Sequence, residues 1–395
     1  MLTLICGEEY RDFTQRALDA ALRGHASRVQ TMPTLNSMTV QLSFYRDVFE
    51  RRLPRPDICE IDVIWPAMLA AHLVDLSPYV GDGVKQFDPM LIENYTIDGR
   101  LVALPLYIDS GLLYYRTDLL RKYGFAAPPA TWSELEHMAR TIQAGERKKG
   151  KDNFWGYIWQ GADGEGLTCN GLEWQASEGG GTILDANRQV QVRNERFQYA
   201  LERARSWVGG ISPPGIVEYD EDDCQSLWLA GKAAFMRNWV YCYSLTRDAA
   251  SPIRDRFGVA LLPAGSAMRA RTLGGVAMGV SMYSRYREEA AAVACYLTSE
   301  AAERERALAT GAVPARPGLY RDPAALRQTP FSGALAGHVT EGLVARPSRA
   351  AGLNYDAVSR AYAGSIHSAI AKQCSVESAL AQLEGALIRI TRGQA

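Results

Sequence analysis

The sequence lacks the raw material for several common functions. Its five histidines, His25, His72, His137, His338 and His367, are scattered, and none belongs to an H-E-x-x-H pair. Its seven cysteines, Cys6, Cys59, Cys169, Cys224, Cys242, Cys295 and Cys374, contain no C-x-x-C and no close Cys/His set. A compact zinc site is therefore not expected. The odd count leaves at least one thiol unpaired within the chain, and spacing alone locates no disulfide. No run of 18 apolar residues exists, so no membrane span is expected. Charge of one sign is also missing: 43 Lys+Arg face 44 Asp+Glu, a net charge of −1. Without excess cation to release counterions from phosphate, a general nucleic-acid or anionic-membrane binder is not expected. Internal repeats, low-complexity tracts and Ser/Gly-rich or Pro-rich linkers are absent as well, so any domains are joined by short strands or hinges.

What is present is an ordinary globular composition, 47% hydrophobic and 22% charged over 395 residues. A single core usually stops growing below this length, which predicts two domains. Strand-like and helix-like segments alternate, which predicts an α/β class. Met1 runs at once into apolar Leu2 to Ile5 with no basic n-region or small-residue cleavage site, so this stretch reads as a first strand. That start suits either a cytosolic chain or one whose leader has been removed. A helical stripe follows at Phe13, Ala17, Leu18, Ala21 and Leu22. Ile61 to Ile64 reads as a buried strand, with Pro66 opening a helix. Leu101 to Leu106 and Gly111 to Tyr115 are further strand candidates, and Thr117 is expected to cap a short helix ending at Gly124. Thr131-Trp132-Ser133-Glu134 has the form of a capping box. The acidic run from Asp220 to Asp223 places negative charge at a helix N-terminus, and the basic run from Arg147 to Lys151 reads as a solvated loop.

Nucleotide and catalytic motifs fail in detail. Gly231-Lys232 is followed by Ala233 where a P-loop needs a hydroxyl, Gly164-Glu165-Gly166 has Cys169 where a dinucleotide loop needs glycine, and Ser281 lacks the second glycine of a nucleophile elbow. A glycosidase pair such as Asp62 with Asp109 survives by inventory only. Aromatics beside polar residues stand out instead: Trp65, Tyr107, Tyr114, Trp159, Trp174, Trp239, Tyr241 and Tyr355, of which Trp174 is assigned to the core. A sugar ring has apolar C–H faces and hydroxyl edges, so its pocket needs aromatic faces together with carboxylate, amide or guanidinium groups.

The segment from Arg55 through Asp62 and Trp65 to Pro66 resembles the extracellular solute-binding proteins of family 1, and especially their trehalose/maltose-binding branch. These are the substrate-capturing subunits of ABC sugar importers. The likeness continues from Leu104 to Arg116, from Glu165 to Asn170 with Glu173-Trp174, from Ala234 to Trp239, from Gly274 to Ser281, from Ala345 to Ser348 and at Asn354-Tyr355. The resemblance implies a two-lobed periplasmic-binding-protein fold, α/β in each lobe, with a hinge between the lobes and a ligand cleft at their interface. The expected lobes are residues 1–108 plus 272–314 and residues 109–271 plus 315–395. Family positions carried over are Glu9, preferred to Glu8, together with Asp62, Tyr107 and Asp109 as polar or aromatic contacts, Gly275 for close backbone approach and Trp239 as a stacking ring. Arg346 is implied as a fork of hydrogen-bond donors, and Glu165 and Tyr355 complete the set.

Three departures from the family pattern point away from plain maltose. The turn Gly7-Glu8-Glu9-Tyr10 is not the small-residue version, the segment from Thr31 to Ser43 lacks a basic residue, and Gly164 and Val276 stand where relatives place aromatics. The resulting expectation is a non-enzymatic protein, with no metal or cofactor, that captures a disaccharide or glycoside and delivers it to an ABC permease. It is expected as a monomer in the periplasm or on a lipid anchor, its leader removed, with no nucleic-acid partner. A polyol or glycerophosphodiester ligand on the same fold is the first alternative, and a glycoside hydrolase the second.

Overall fold

The computed structural model describes residues 1–21, 28–35, 38–328 and 342–393, without the side chains of residues 8, 9, 21, 39 and 328. Its strands are β1 (Leu2–Cys6), β2 (Val29–Pro33), β3 (Ile58–Asp62), β4 (Thr96–Ile97), β5 (Arg100–Leu101), β6 (Leu104–Ser110), β7 (Leu112–Arg116), β8 (Trp155–Ile158), β9 (Ala233–Asn238), β10 (Phe257–Leu261), β11 (Arg271–Val280) and β12 (Leu343–Val344). The longer helices are α1 (Glu8–Ala21), α2 (Met38–Glu50), α3 (Trp132–Arg147), α4 (Glu165–Ser177), α5 (Glu195–Trp207), α6 (Glu221–Leu229), α7 (Arg287–Leu297), α8 (Glu300–Thr310), α9 (Tyr355–Ile370) and α10 (Val376–Thr391). The chain divides into two compact units, Met1–Asp109 with Gly274–Gly337, and Ser110–Leu273 with His338–Ala395. The chain passes between them along β6, along β11 and a third time at Gly337 to His338, which lie outside the described residues.

In the first unit, β2, β1 and β3 run parallel, with Leu2 opposite Val29 and Leu4 opposite Ile58. All five residues of β1 are buried, as a parallel strand covered on both faces requires. β11 joins this sheet antiparallel to β3, placing Val276 opposite Asp62, and β6 pairs with β11. Residues 315–328 belong here too, a correction to the expected assignment of 315 onward to the second lobe. The reason is a buried charge: Glu303 in α8 accepts from the backbone N–H groups of Ala315 and Arg316 at 3.0 and 3.2 Å and pairs with the Arg316 guanidinium. Arg316 in turn lies 3.8 Å over the Phe87 ring.

In the second unit the sheet order is β10-β7-β9-β8. Under it lies an aromatic core in which Trp132, Trp159, Trp174 and Trp207 are fully buried. The indole N–H of Trp132 donates to Ser177 and that of Trp159 to Ser212, each at 3.1 Å. α9 packs against α4, α5 and α10. Local signals decide the helix ends. Thr131 accepts from the Glu134 N–H at 3.2 Å. Asp220 and Asp223 form a reciprocal capping box on α6. Thr117 does not cap its helix: it is the first residue of Thr117–Lys122, and the preceding Arg116 turns its side chain to Asp118 at 2.6 Å.

Candidate binding site

The predicted residues of the first unit collect at one end of β3. Asp62 ends that strand half-buried, and its Oδ1 accepts from the Ile64 N–H at 3.0 Å, an Asx-type turn that fixes the carboxylate. The Val63 N–H donates to the Gly275 carbonyl at 3.1 Å, tying the same turn to β11. Gly275 has φ +114°, and a Cβ there would lie 2.4 Å from the Tyr107 carbonyl oxygen, so β6 and β11 can approach this closely only at glycine. Tyr107 is half-buried, its ring 5.0 Å from that of Tyr10. Asp109 follows on β6, also half-buried. The backbone of Glu9 lies in the first turn of α1, directly after β1; its side chain lies outside the described residues.

The second unit brings Glu165, Arg346 and Tyr355 into one network. Glu165 opens α4, where its charge suits the helix N-terminus. Its Oε1 accepts from Arg346 Nη1 at 2.8 Å and from the Tyr355 hydroxyl at 2.5 Å, and its Oε2 accepts from the Ser359 hydroxyl at 2.6 Å. Burial, and then the Glu165 carboxylate, push the Tyr355 phenol well above its ordinary pKa, so it stays a donor. Arg346, expected to donate a fork of hydrogen bonds, spends one nitrogen on Glu165 and another on the Leu273 carbonyl at 3.2 Å. A guanidinium this buried must be paired. The exposed member of the cluster is Glu165 itself, its side chain 35% accessible.

Trp239 follows β9 and is half-buried. Its indole N–H donates to Glu221 Oε1 at 3.2 Å. The same carboxylate oxygen lies 2.9 Å from where a Cβ on Gly166 would stand, so the Trp239 and Glu165 clusters adjoin through Gly166. One face of the indole carries the Arg237 guanidinium, 4.1 Å from the ring centroid. Arg237 is fully buried and forms a two-pronged pair with Glu173, Nη2 to Oε1 at 2.7 Å and Nε to Oε2 at 3.2 Å. Burial by itself would lower the Arg237 pKa, but Glu173 outweighs it and the net shift is upward.

Sequence reasoning missed Glu221, Ser359 and the roles of Arg237 and Glu173. Glu221 was hidden inside an acidic run whose neighbours Asp220 and Asp223 do serve as caps; its position next to the cap, with a longer side chain, was the available signal. Of the aromatics singled out, Trp65, Tyr114, Trp159 and Trp174 are core residues, whereas Tyr107, Trp239 and Tyr241 are half-exposed. The basic run is less free than expected. Lys151 donates to buried Glu146 at 2.6 Å, and Arg147 lies 4.3 Å over the Trp155 ring. Among the described residues no cluster of metal-ligating side chains occurs, and no helix is long and apolar enough to cross a membrane.

Comparison with known proteins gives the same direction. Residues 49–304 match the family model of the bacterial extracellular solute-binding proteins. A probable ABC transporter-binding protein of Deinococcus radiodurans is 38% identical over 393 residues, covering 98% of this chain and 93% of that one. Among solved structures, maltose-bound MalE3 of T. maritima superposes with a TM-score of 0.89 at 33% identity, covering 98% of both chains. A solute-binding protein of Thermotoga lettingae bound with α-D-tagatose has the same fold, with a TM-score of 0.85 at 21% identity over the full length of both. The chain belongs to the bacterial extracellular solute-binding proteins, with the α/β fold of the sugar-binding members that serve ABC transporters.

Proposed function

We propose that the protein is the substrate-capturing subunit of an ABC importer, taking up a neutral carbohydrate of the disaccharide or glycoside kind and delivering it to a membrane permease. It works outside the cytoplasm, periplasmic or lipid-anchored, as a monomer that needs no metal or cofactor and leaves its ligand chemically unchanged. The observation that carries this reading is the pairing of a half-exposed, edge-anchored indole, Trp239, with the adjoining carboxylate of Glu165, whose other contacts are already fixed by Arg346, Tyr355 and Ser359. A sugar offers a C–H face to such a ring and hydroxyl donors to such a carboxylate. Asp62 and Asp109 are further acceptors in this reading, with Tyr107, Gly275 and Glu9 beside them. Arg346 and Tyr355 act by holding Glu165. The 33% identity to a maltose-bound protein over nearly the whole chain supports the ligand class.

One observation favours a shorter ligand. Gly164 faces open space, and Val276 is nearly buried, so neither supplies a stacking ring. A monosaccharide or polyol is the second reading. Thermal-shift measurements against maltose, trehalose, tagatose and mannitol, followed by calorimetry on those that stabilise, separate the two. Stabilisation by the disaccharides supports the first reading, and stabilisation by tagatose or mannitol alone replaces it. Mass spectrometry after long incubation checks that the best binder is intact; a hydrolysed product would overturn the assignment as a binding protein.

A further inference from the structure

We infer that the buried Glu173–Arg237 pair is a positioning device for Trp239, and that sugar affinity depends on it although neither residue reaches the ligand. The inference rests on reading Trp239 as the stacking ring. Both charged side chains are fully buried, a costly arrangement that replacement by neutral side chains often leaves unharmed or improves. Stability alone is therefore a weak account of it. The geometry supplies the reason. Arg237 lies over the indole with its guanidinium carbon 4.1 Å from the ring centroid. Glu173 then locks the guanidinium plane with two parallel hydrogen bonds. The indole N–H is pinned by Glu221 and the backbone N–H of Trp239 by the Asn238 amide oxygen at 2.8 Å. The ring is thus held at its edge, at its backbone and on one face, while remaining half-exposed.

The device is also built into β11 and the turn that follows β6. Glu173 Oε1 accepts from the Thr272 N–H of β11 at 3.1 Å. Gly111, between β6 and β7, has no room for a side chain: a Cβ would stand 2.3 Å from Glu173 Oε1 and 2.8 Å from Arg237 Nη2. β11 and the turn after β6 therefore touch the same ion pair, and the orientation of Trp239 is referred to them through these contacts. A ring held in place before the ligand arrives loses little freedom on binding, which raises affinity without adding a contact.

Removing one charge alone leaves its partner buried and can unfold the unit, so the test uses Glu173→Gln with Arg237→Met, which removes both charges and keeps an acceptor for Thr272. Arg237→Lys serves as the comparison that retains the charge without the planar surface. The readouts are thermal melting, maltose affinity by calorimetry, and the Trp239 emission spectrum of the free protein, obtained by subtracting the Trp239→Phe variant of each background. The double variant is expected to melt within a few degrees of the parent, to shift the Trp239 emission, and to bind maltose about tenfold more weakly. Arg237→Lys is expected to shift the emission as well, and the double variant to lose no further affinity once Trp239 is already Phe. Unchanged Trp239 emission and unchanged affinity in the double variant overturn the inference while the parent still binds maltose. A parent that binds no sugar overturns the functional reading instead, which keeps the two failures apart.

Discussion

At the scale of single residues the proposed function assigns the binding chemistry to Trp239 and Glu165, and their neighbours make opposite predictions. Trp239→Ala removes a large ring surface, and Glu165→Ala removes an acceptor together with the carboxylate that pairs with buried Arg346. Each is expected to weaken sugar binding by about 1.5–3 kcal/mol in calorimetry. Asp222→Ala, one position along from Glu221 but exposed, is expected to change it by less than about 0.5 kcal/mol. A different residue reports on stability. Burial alone would raise the Glu146 pKa, but hydrogen bonds from Lys122, Lys151 and Tyr123 win and take it to about 2. A carboxylate depressed in the folded state contributes stability above its unfolded pKa of about 4.5, and that contribution is lost as pH falls through the folded value near 2. Glu146→Gln should therefore be less stable than the parent at pH 6, by on the order of 1–2 kcal/mol given the partly exposed lysines. Urea titrations of both proteins at pH 6 and pH 3 should show that gap closing as pH falls.

Helix ends and the meeting of β6 with β11 are decided by short-range chemistry, at the scale of elements. Asp220 accepts from the backbone N–H groups of Asp222 and Asp223, so Asp220→Ala should cost about 1 kcal/mol by chemical denaturation. It should also loosen Glu221, and with it the edge of Trp239, giving a small affinity loss that Asp222→Ala does not show. Gly275→Ala tests the strand contact. With φ at +114° and the Tyr107 carbonyl 2.4 Å from the new Cβ, the substitution should destabilise by about 1–3 kcal/mol, because backbone rather than a flexible side chain must move. A melting curve superposable on the parent's would show that β6 and β11 separate easily. The acidic run illustrates how far element-level reading reaches. Its role as a helix start follows from composition and position alone, whereas the diversion of Glu221 to an indole N–H depends on β9 being placed beside α6.

Ligand linkage is the measurable property at the scale of the whole molecule. One sugar is expected per chain, and at 100 times its dissociation constant it should stabilise the folded protein by about 2.7 kcal/mol, seen as a concentration-dependent rise in melting temperature. Asp62→Ala and Trp239→Ala should each reduce that rise. A rise unchanged in either variant would remove that residue from the proposed site. The sequence by itself determined the α/β class, the family and the place of Asp62 at the end of its strand, because strand alternation, capping and contiguous motifs are encoded by neighbours along the chain. Tertiary structure decided which polar groups were already committed. Arg346 is turned to Glu165 and Leu273, Trp159 is sealed in an aromatic core, residues 315–328 follow Glu303 into the first unit, and Arg237 with Glu173 stands behind Trp239. Each outcome follows from the cost of burying a polar or charged group without a partner, and the partner in each case lies tens of residues or more away along the chain or arrives only when the elements pack.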